Sequence, residues 1–169
     1  MVHSIELLFD PDTETAIRRV WQRLSDLSLR SPTQTSRPHV TLVVADTIAA
    51  DVDPLLSALN ARLPLSAIVG APMVFGHSPL ILVRAVVPST DLLALHAEAW
   101  RMCQPYADPA PAPNTAVGQW TPHVTLARRV DPAQLREAFA IRRLSRDVHA
   151  EFVGIRHWDG NNRVEHVIR

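Results

Sequence analysis

The sequence contains no lysine, only one cysteine and no long apolar run, and each of these absences excludes a class of protein or of binding partner. All 17 basic residues are arginines, and 17 acidic residues balance them, so the formal net charge is zero. This balance excludes the overall positive field that grips long nucleic acids through many phosphates. A nucleic-acid substrate is therefore expected to be small or to be held by its end.

The scarcity of cysteine bears on redox chemistry and location. Cys103 cannot form an internal disulfide and has no second thiol for a cysteine-based metal cluster. Residues 1–6 have no basic leader, and no stretch of about eighteen consecutive apolar residues occurs. We therefore expect a cytoplasmic protein that is neither exported nor membrane-spanning, and we expect a monomer.

The length and composition predict one folded domain over residues 1–169. Of the 169 residues, 47% are hydrophobic and 20% are charged, a balance that favours a soluble globular protein over a disordered or fibrous one. A chain of this length can bury a substantial core. Two small halves that share one interior are also compatible with these numbers.

The first half of the chain predicts two strands and two helices. The apolar run 5–9 predicts a strand, and apolar residues at helical spacing follow it. These residues are Ile17, Val20, Trp21, Leu24 and Leu27. The polar segment 31–38 is typical of a loop, the β-branched run 39–45 predicts a strand, and a helix is expected over 54–63.

The second half predicts two hairpins and two helices. Apolar runs at 65–75 and 80–87 are separated by Gly76-His77-Ser78-Pro79, which favours a hairpin. Segment 104–120 is too rich in proline for a helix and predicts a loop that borders a site. The other expected elements are a helix after Pro88, a helix over 132–140, and strands near 148–158 and 163–168. Because strands and helices do not alternate regularly, the predicted class is α+β with mainly antiparallel sheets.

The pentapeptide Pro-His-Val-Thr-Leu occurs twice, at 38–42 and at 122–126. The copies are separated by about half of the chain, so an internal duplication is the simplest explanation. Because side chains alternate along a strand, His39 and Thr41 share one face, and His123 and Thr125 share the corresponding face of the other copy. The repeat therefore predicts two imidazoles and two hydroxyls that meet across a cleft.

This set of groups suits the hydrolysis of a phosphodiester. That reaction needs a base that activates water, an acid that protonates the departing oxygen and hydrogen-bond donors that hold the nonbridging oxygens. Histidine titrates near neutrality, so one of His39 and His123 can be neutral while the other is protonated. The hydroxyls of Thr41 and Thr125 can donate hydrogen bonds to phosphate oxygens. Two histidines without a cysteine or carboxylate at ligand spacing make a poor metal site, so we predict no metal and no other cofactor. The pattern does not show which histidine is the acid.

The two motifs resemble those of the 2H phosphoesterase superfamily, and within it the bacterial branch of 2'-5' RNA ligases and 2',3'-cyclic phosphodiesterases. That family carries one His-x-Thr/Ser-x motif in each half, and the motifs here are His39-Val40-Thr41-Leu42 and His123-Val124-Thr125-Leu126. The order of elements is similar along nearly the whole chain. The resemblance implies a bilobal α+β fold, in which two mainly antiparallel sheets flanked by helices enclose a central cleft. It also implies cleavage of cyclic phosphates to 2'-phosphates, together with a reversible 2'-5' RNA ligase activity.

Residues around the second motif extend the predicted site. Members of this family commonly carry an arginine just after the second motif, which implicates Arg128 in phosphate binding. Strand alternation instead predicts that Arg129 faces the cleft. Trp120 can either stack a base at the cleft rim or pack within the structure. Histidines without a duplicated partner are expected to be structural or surface residues, namely His77, His96, His149, His157 and His166.

Three functions are compatible with these features. The first is a metal-independent phosphodiesterase that acts on a 2',3'-cyclic or 2'-5' linked phosphoester of a small nucleotide or RNA end. The second is a binding module that recognises a nucleotide in the same cleft without turning it over. The third is a metallohydrolase built on the histidines. The intact pair of His-x-Thr motifs favours the phosphodiesterase.

Overall fold

A computed structural model describes residues 2–33 and 35–169, so Met1 and Gln34, the latter within the predicted loop 31–38, lie outside the described residues. The elements in chain order are β1 (His3–Phe9), α1 (Pro11–Asp26), β2 (His39–Ala45), β3 (Thr47–Ile48), α2 (Asp53–Leu56), β4 (Leu65–Phe75), β5 (Leu80–Val86), α3 (Thr90–Cys103), β6 (Ala107–Asp108), β7 (His123–Val130), α4 (Pro132–Phe139), β8 (Val148–Asp159) and β9 (Val164–Ile168). The predicted α+β class is confirmed. The helix expected over 54–63 is instead a short α-helix between two 3-10 segments, at 50–52 and 57–62. None of the helices in the described part of the chain is long and apolar enough to span a membrane.

Three of the helices begin at residues whose side chains cap the first turn. Asp10, Ser89 and Asp131 each accept a hydrogen bond from the backbone N–H three residues later. A cap of this kind stabilises the start of a helix by about 1 kcal/mol. These local signals explain why α1, α3 and α4 begin where the sequence predicts.

Seven of the described strands form one large antiparallel sheet with the order β2-β1-β8-β4-β5-β7, in which β9 pairs with β8, and β3 and β6 form a second, two-stranded sheet. Strand β8 joins the two sides of this sheet, because its residues up to Phe152 pair with β4 and those from Phe152 onward pair with β1. The strands that carry the motifs, β2 and β7, lie at opposite ends of this order. They nevertheless contact each other, so the sheet is curved strongly enough to bring its edges together.

The order of the main elements occurs twice along the chain. The run β1-α1-β2-α2-β4 is followed by β5-α3-β7-α4-β8. In the sheet, the pair β1-β2 adjoins β8 of the second run through β1, and the pair β5-β7 adjoins β4 of the first run through β5. We propose that the two runs are the pseudo-symmetric lobes of a single domain spanning residues 1–169, tied together by this exchange of strands.

The motif strands bury one face and leave the other accessible. Val40, Leu42, Val124 and Leu126 are buried in the core, whereas the histidines and threonines between them are partly exposed. Helix α3 packs against β2, and α1 packs against β7. Each motif strand is therefore supported by the helix of the other run, and the alternation predicted from the pentapeptide is confirmed.

Two tryptophans also connect the motif strands to the other half of the chain. Trp21 on α1 donates a hydrogen bond from its indole Nε1 to the backbone carbonyl of Thr125, at 3.0 Å. Trp120, just before β7, donates in the same way to the carbonyl of Thr41, at 2.9 Å. Strands β2 and β7 are the edge strands of the sheet, so no further described strand pairs with their outer backbone groups. The two indoles supply hydrogen-bond donors to carbonyls of these edge strands.

We predict that Trp21→Phe and Trp120→Phe each lower the free energy of unfolding by about 1 to 3 kcal/mol, because each leaves a strand carbonyl without its donor. Urea denaturation followed by circular dichroism measures this change. Trp100→Phe is the matched control, since the Trp100 indole N–H is buried without a hydrogen-bond partner within the described residues. Equal losses in all three variants would show that only aromatic volume matters at these positions.

Candidate active site

The structure gathers the predicted residues around one cleft and a pocket that adjoins it. His39, Thr41, Trp120, His123 and Arg128 line a cleft of about 940 Å³. Thr125 instead lines the adjoining pocket of about 440 Å³, which His39 and Arg128 also border. The cleft wall includes Asn114, Thr115 and Gln119. Segment 104–120 therefore borders the candidate cleft.

Both motif histidines are oriented by the same local hydrogen bond. His39 Nδ1 donates to the carbonyl of Arg37 at 2.8 Å, and His123 Nδ1 donates to the carbonyl of Thr121 at 2.6 Å. Each carbonyl belongs to the residue before the motif proline, and that residue is restricted to extended conformations. Because a carbonyl can only accept, Nδ1 carries the hydrogen and Nε2 is left to exchange protons.

The surroundings of His123 favour its neutral form. Burial lowers the pKa of His123, and the nearby positive charges of His39 and Arg128 lower it further, against the hydrogen bond to Thr121, which raises it. Phe75 contributes to this environment because its ring meets the imidazole edge-on, with centroids 4.8 Å apart. The His123 ring is therefore suited to accept a proton.

His39 has a carboxylate beside it that the sequence did not predict. Glu6 Oε2 lies 3.4 Å from His39 Nδ1. Glu6 is buried, and it accepts hydrogen bonds from Arg156 Nε at 2.7 Å and from Ser4 Oγ at 2.6 Å. Arg156 in turn pairs with Glu165 at 2.7 Å. The one signal in the sequence was a charged residue inside the apolar run of β1.

Arg128, rather than Arg129, lines the cleft that contains both histidines, so the prediction from strand alternation is wrong. The cause is a bulge in the pairing of β7 with β5, where Thr125 and Ala127 face consecutive residues of β5. Leu126 and Ala127 are consequently both buried, and the alternation resumes one residue later. Arg129 has a φ of 54° and lines the adjoining pocket.

Trp120 has a packing role as well as a place in the cleft wall. Its ring stacks on His96 with centroids 4.0 Å apart and planes within 5° of parallel. His96 is buried and its Nε2 donates to the carbonyl of Thr115 at 2.9 Å, so it is structural, as expected. Trp120 is thereby held rigidly at the rim, where stacking of a base on its other face stays a prediction.

The remaining histidines lie outside the cleft. His157 is buried, and its Nδ1 lies 2.8 Å from Asp53 Oδ1, whereas His77, His149 and His166 are exposed. Their expected structural or surface placement is confirmed. Within residues 2–33 and 35–169, no group of three or more histidine, cysteine or acidic side chains is arranged to hold a metal ion.

Solved structures share this fold. TT0787 from Thermus thermophilus has a TM-score of 0.62 and 17% identity, covering 100% of this chain and 96% of that chain. E. coli LigT complexed with 3'-AMP has a TM-score of 0.55 and 11% identity, with 98% and 91% coverage. Kluyveromyces marxianus Usb1 with uridine monophosphate has a TM-score of 0.52 and 11% identity, with 99% and 97% coverage. At these identities the likeness shows the fold alone.

Comparison at the level of sequence gives the family. No curated protein sequence matches this chain. A family model described as the 2'-5' RNA ligase superfamily matches residues 10–160, a range that contains both His-x-Thr-x motifs and most of the chain. The protein therefore belongs to the 2'-5' RNA ligase superfamily, the group of 2H phosphoesterases that its paired motifs predict.

Proposed function

We propose that the protein is a metal-independent phosphodiesterase that hydrolyses a 2',3'-cyclic or 2'-5' linked phosphoester of a nucleotide or RNA end. One observation carries this proposal: His39 and His123 line the same cleft with Nδ1 anchored and Nε2 available. The presence of 3'-AMP in E. coli LigT and of uridine monophosphate in K. marxianus Usb1 supports a nucleotide ligand for this cleft. We further propose that the protein acts as a cytoplasmic monomer of bacterial type.

The two histidines would divide the proton transfers of hydrolysis. His123 Nε2 takes a proton from water, and the water oxygen forms a bond to phosphorus. The bond from phosphorus to the departing ribose oxygen breaks, and His39 Nε2 gives that oxygen a proton. A 2',3'-cyclic phosphate then yields a 2'-phosphate and a 3'-hydroxyl. If a 5'-hydroxyl takes the place of water, His123 Nε2 takes its proton, its oxygen bonds to phosphorus, and the 3' oxygen leaves with a proton from His39 Nε2, which forms a 2'-5' linkage and is the ligation direction.

Two observations support this division of roles. The lowered pKa of His123 favours the neutral form that a base needs at the start of the reaction. The Glu6 carboxylate lies 3.4 Å from His39 Nδ1, where its negative charge can interact with a protonated ring. His39 is therefore the proposed acid.

The other predicted residues would hold the phosphate. Thr41 in the cleft and Thr125 in the adjoining pocket can donate hydroxyl hydrogen bonds to the nonbridging oxygens. Arg128 borders both spaces, so its guanidinium can offset the charge that develops on those oxygens. Trp120 is proposed to bind the base at the rim.

We predict that His39→Ala and His123→Ala each lower kcat/KM for a 2',3'-cyclic nucleotide by about a hundredfold to ten-thousandfold, as expected for loss of a general acid or base. Both rings are only partly buried, so circular dichroism and thermal melting should show intact folding. His149→Ala, an exposed histidine away from the cleft, is the matched control. Near-normal activity in either motif variant would refute the paired mechanism. Nucleotide binding by the wild-type protein without any turnover would indicate a binding module.

We predict a smaller effect for Thr41→Val and Thr125→Val, which delete a hydroxyl while preserving side-chain shape. Each should cost about 1 to 3 kcal/mol of transition-state stabilisation, because one hydrogen bond to a charged group is lost. Steady-state kinetics on the same nucleotide gives the change in kcat/KM. Unchanged kinetics in both variants would remove the threonines from the site.

We predict a bell-shaped dependence of kcat/KM on pH, whose acidic limb lies below about 6.5, the ordinary pKa of histidine. A base must be deprotonated to act, so the lowered pKa of His123 extends activity to lower pH. Arg128→Ala removes one of the charges that lower this pKa, so its acidic limb should move to higher pH. Arg136→Ala, an exposed arginine on α4, is the matched control. An unmoved limb in Arg128→Ala would contradict this account of His123.

A further inference from the structure

The pocket that adjoins the cleft has a strongly basic lining. Four arginines, Arg30, Arg37, Arg128 and Arg129, line it together with the hydroxyls of Ser31, Thr33, Ser36 and Thr125. Its described lining residues include no aspartate and no glutamate. The chain as a whole has no net charge, so this concentration of positive charge is a local feature.

Three of these arginines form no ion pair with any residue that the structure describes. Arg37 pairs with Glu14 at 3.6 Å and with Glu165 at 3.0 Å. By contrast, no ion pair within the described chain involves Arg30, Arg128 or Arg129. Guanidinium groups that share a pocket repel one another, and a bound phosphate would offset this repulsion with bidentate hydrogen bonds. The pocket is therefore matched to an anion.

The same pocket contains a buried hydroxyl whose hydrogen-bond partner is not found among residues 2–33 and 35–169. Ser31 Oγ is buried and makes no hydrogen bond within the described residues. Such a group costs about 1 to 3 kcal/mol if it stays unpaired, and each instance in a folded protein calls for an explanation. A phosphate oxygen beside the arginines would accept its hydrogen.

The backbone holds this pocket against the end of β7. The Arg128 N–H donates to the carbonyl of Arg30 at 2.9 Å, which ties the loop after α1 to the strand. Arg129 adopts a φ of 54°, in the left-handed region that costs an arginine about 1 kcal/mol or more. This strained residue is the one that lines the pocket beside Arg128.

We infer that the pocket is a second phosphate subsite, formed by Arg30, Arg129 and Ser31, and that the substrate carries another phosphate close to the reacting one. Because His39 and Arg128 border both spaces, the two phosphates would be neighbours on one substrate molecule. The group that fits this subsite is a phosphate on the 5' oxygen of the same nucleotide whose 2',3'-cyclic phosphate reacts. That phosphate is either a terminal monophosphate or the linking phosphodiester of an RNA chain. This assignment of substrate class rests on the proposed phosphodiesterase function.

The kinetic test compares three 2',3'-cyclic substrates: a nucleoside monophosphate without a further phosphate, its 5'-phosphorylated form, and a dinucleotide that ends in the cyclic phosphate. The wild-type protein should show a higher kcat/KM for at least one of the latter two, and which one identifies the source of the second phosphate. Arg30→Ala and Arg129→Ala should lower that preference ratio by about tenfold, the effect of losing a charge-assisted hydrogen bond. Arg136→Ala should keep the wild-type ratio. A ratio near one in the wild-type protein would overturn the subsite and leave the phosphodiesterase proposal intact.

If no substrate is turned over, a binding experiment tests the second phosphate subsite separately from the phosphodiesterase function. Isothermal titration compares adenosine 3',5'-bisphosphate with adenosine 3'-monophosphate for the wild-type protein and the same variants. Tighter binding of the bisphosphate that is lost in Arg30→Ala and Arg129→Ala, without turnover, would support the subsite and refute the phosphodiesterase. Equal binding of both ligands, or an advantage unchanged by both substitutions, would refute the subsite.

Discussion

The approach of β2 and β7 is the constraint on which the candidate site depends. These strands end the sheet order on opposite sides, and they meet because the sheet curves back on itself. The indoles of Trp21 and Trp120 hold the approach by binding the carbonyls of Thr125 and Thr41. Thr41 and Thr125 thus present their hydroxyl groups at the site while their carbonyls fix the positions of the two strands. Displacement of either strand would separate the histidines.

The two motif strands, β2 and β7, have the same local backbone geometry but different neighbouring residues. In both, a carbonyl before a proline fixes the histidine ring and leaves Nε2 available. His39 lies beside the buried pair of Glu6 and Arg156, whereas His123 lies against Phe75 and near Arg128. A repeated strand supplies matching geometry, whereas the burial that lowers the pKa of His123 is a property of the surroundings of that histidine.

Local patterns predicted much of this arrangement, and contacts between distant segments account for what they missed. The repeated pentapeptide predicted the strand His39–Ala45, the shared faces of histidine and threonine, and the family. A bulge at Leu126 reversed the alternation that pointed to Arg129, because a bulge depends on the partner strand β5. The pairing of Glu6 with Arg156 joins strands from opposite ends of the chain, so no local pattern could reveal it. The pairing of β8 with both β1 and β4 is likewise a property of the whole sheet.

The central claim is that a histidine pair hydrolyses a phosphodiester without a metal. The most direct measurement follows a 2',3'-cyclic nucleotide by phosphorus NMR after exhaustive treatment of the protein with a chelator. Catalysis by the histidine pair alone predicts an unchanged rate of hydrolysis and a 2'-phosphate as the product. Loss of activity with the chelator and its recovery on addition of a divalent metal would contradict the account and indicate a metallohydrolase.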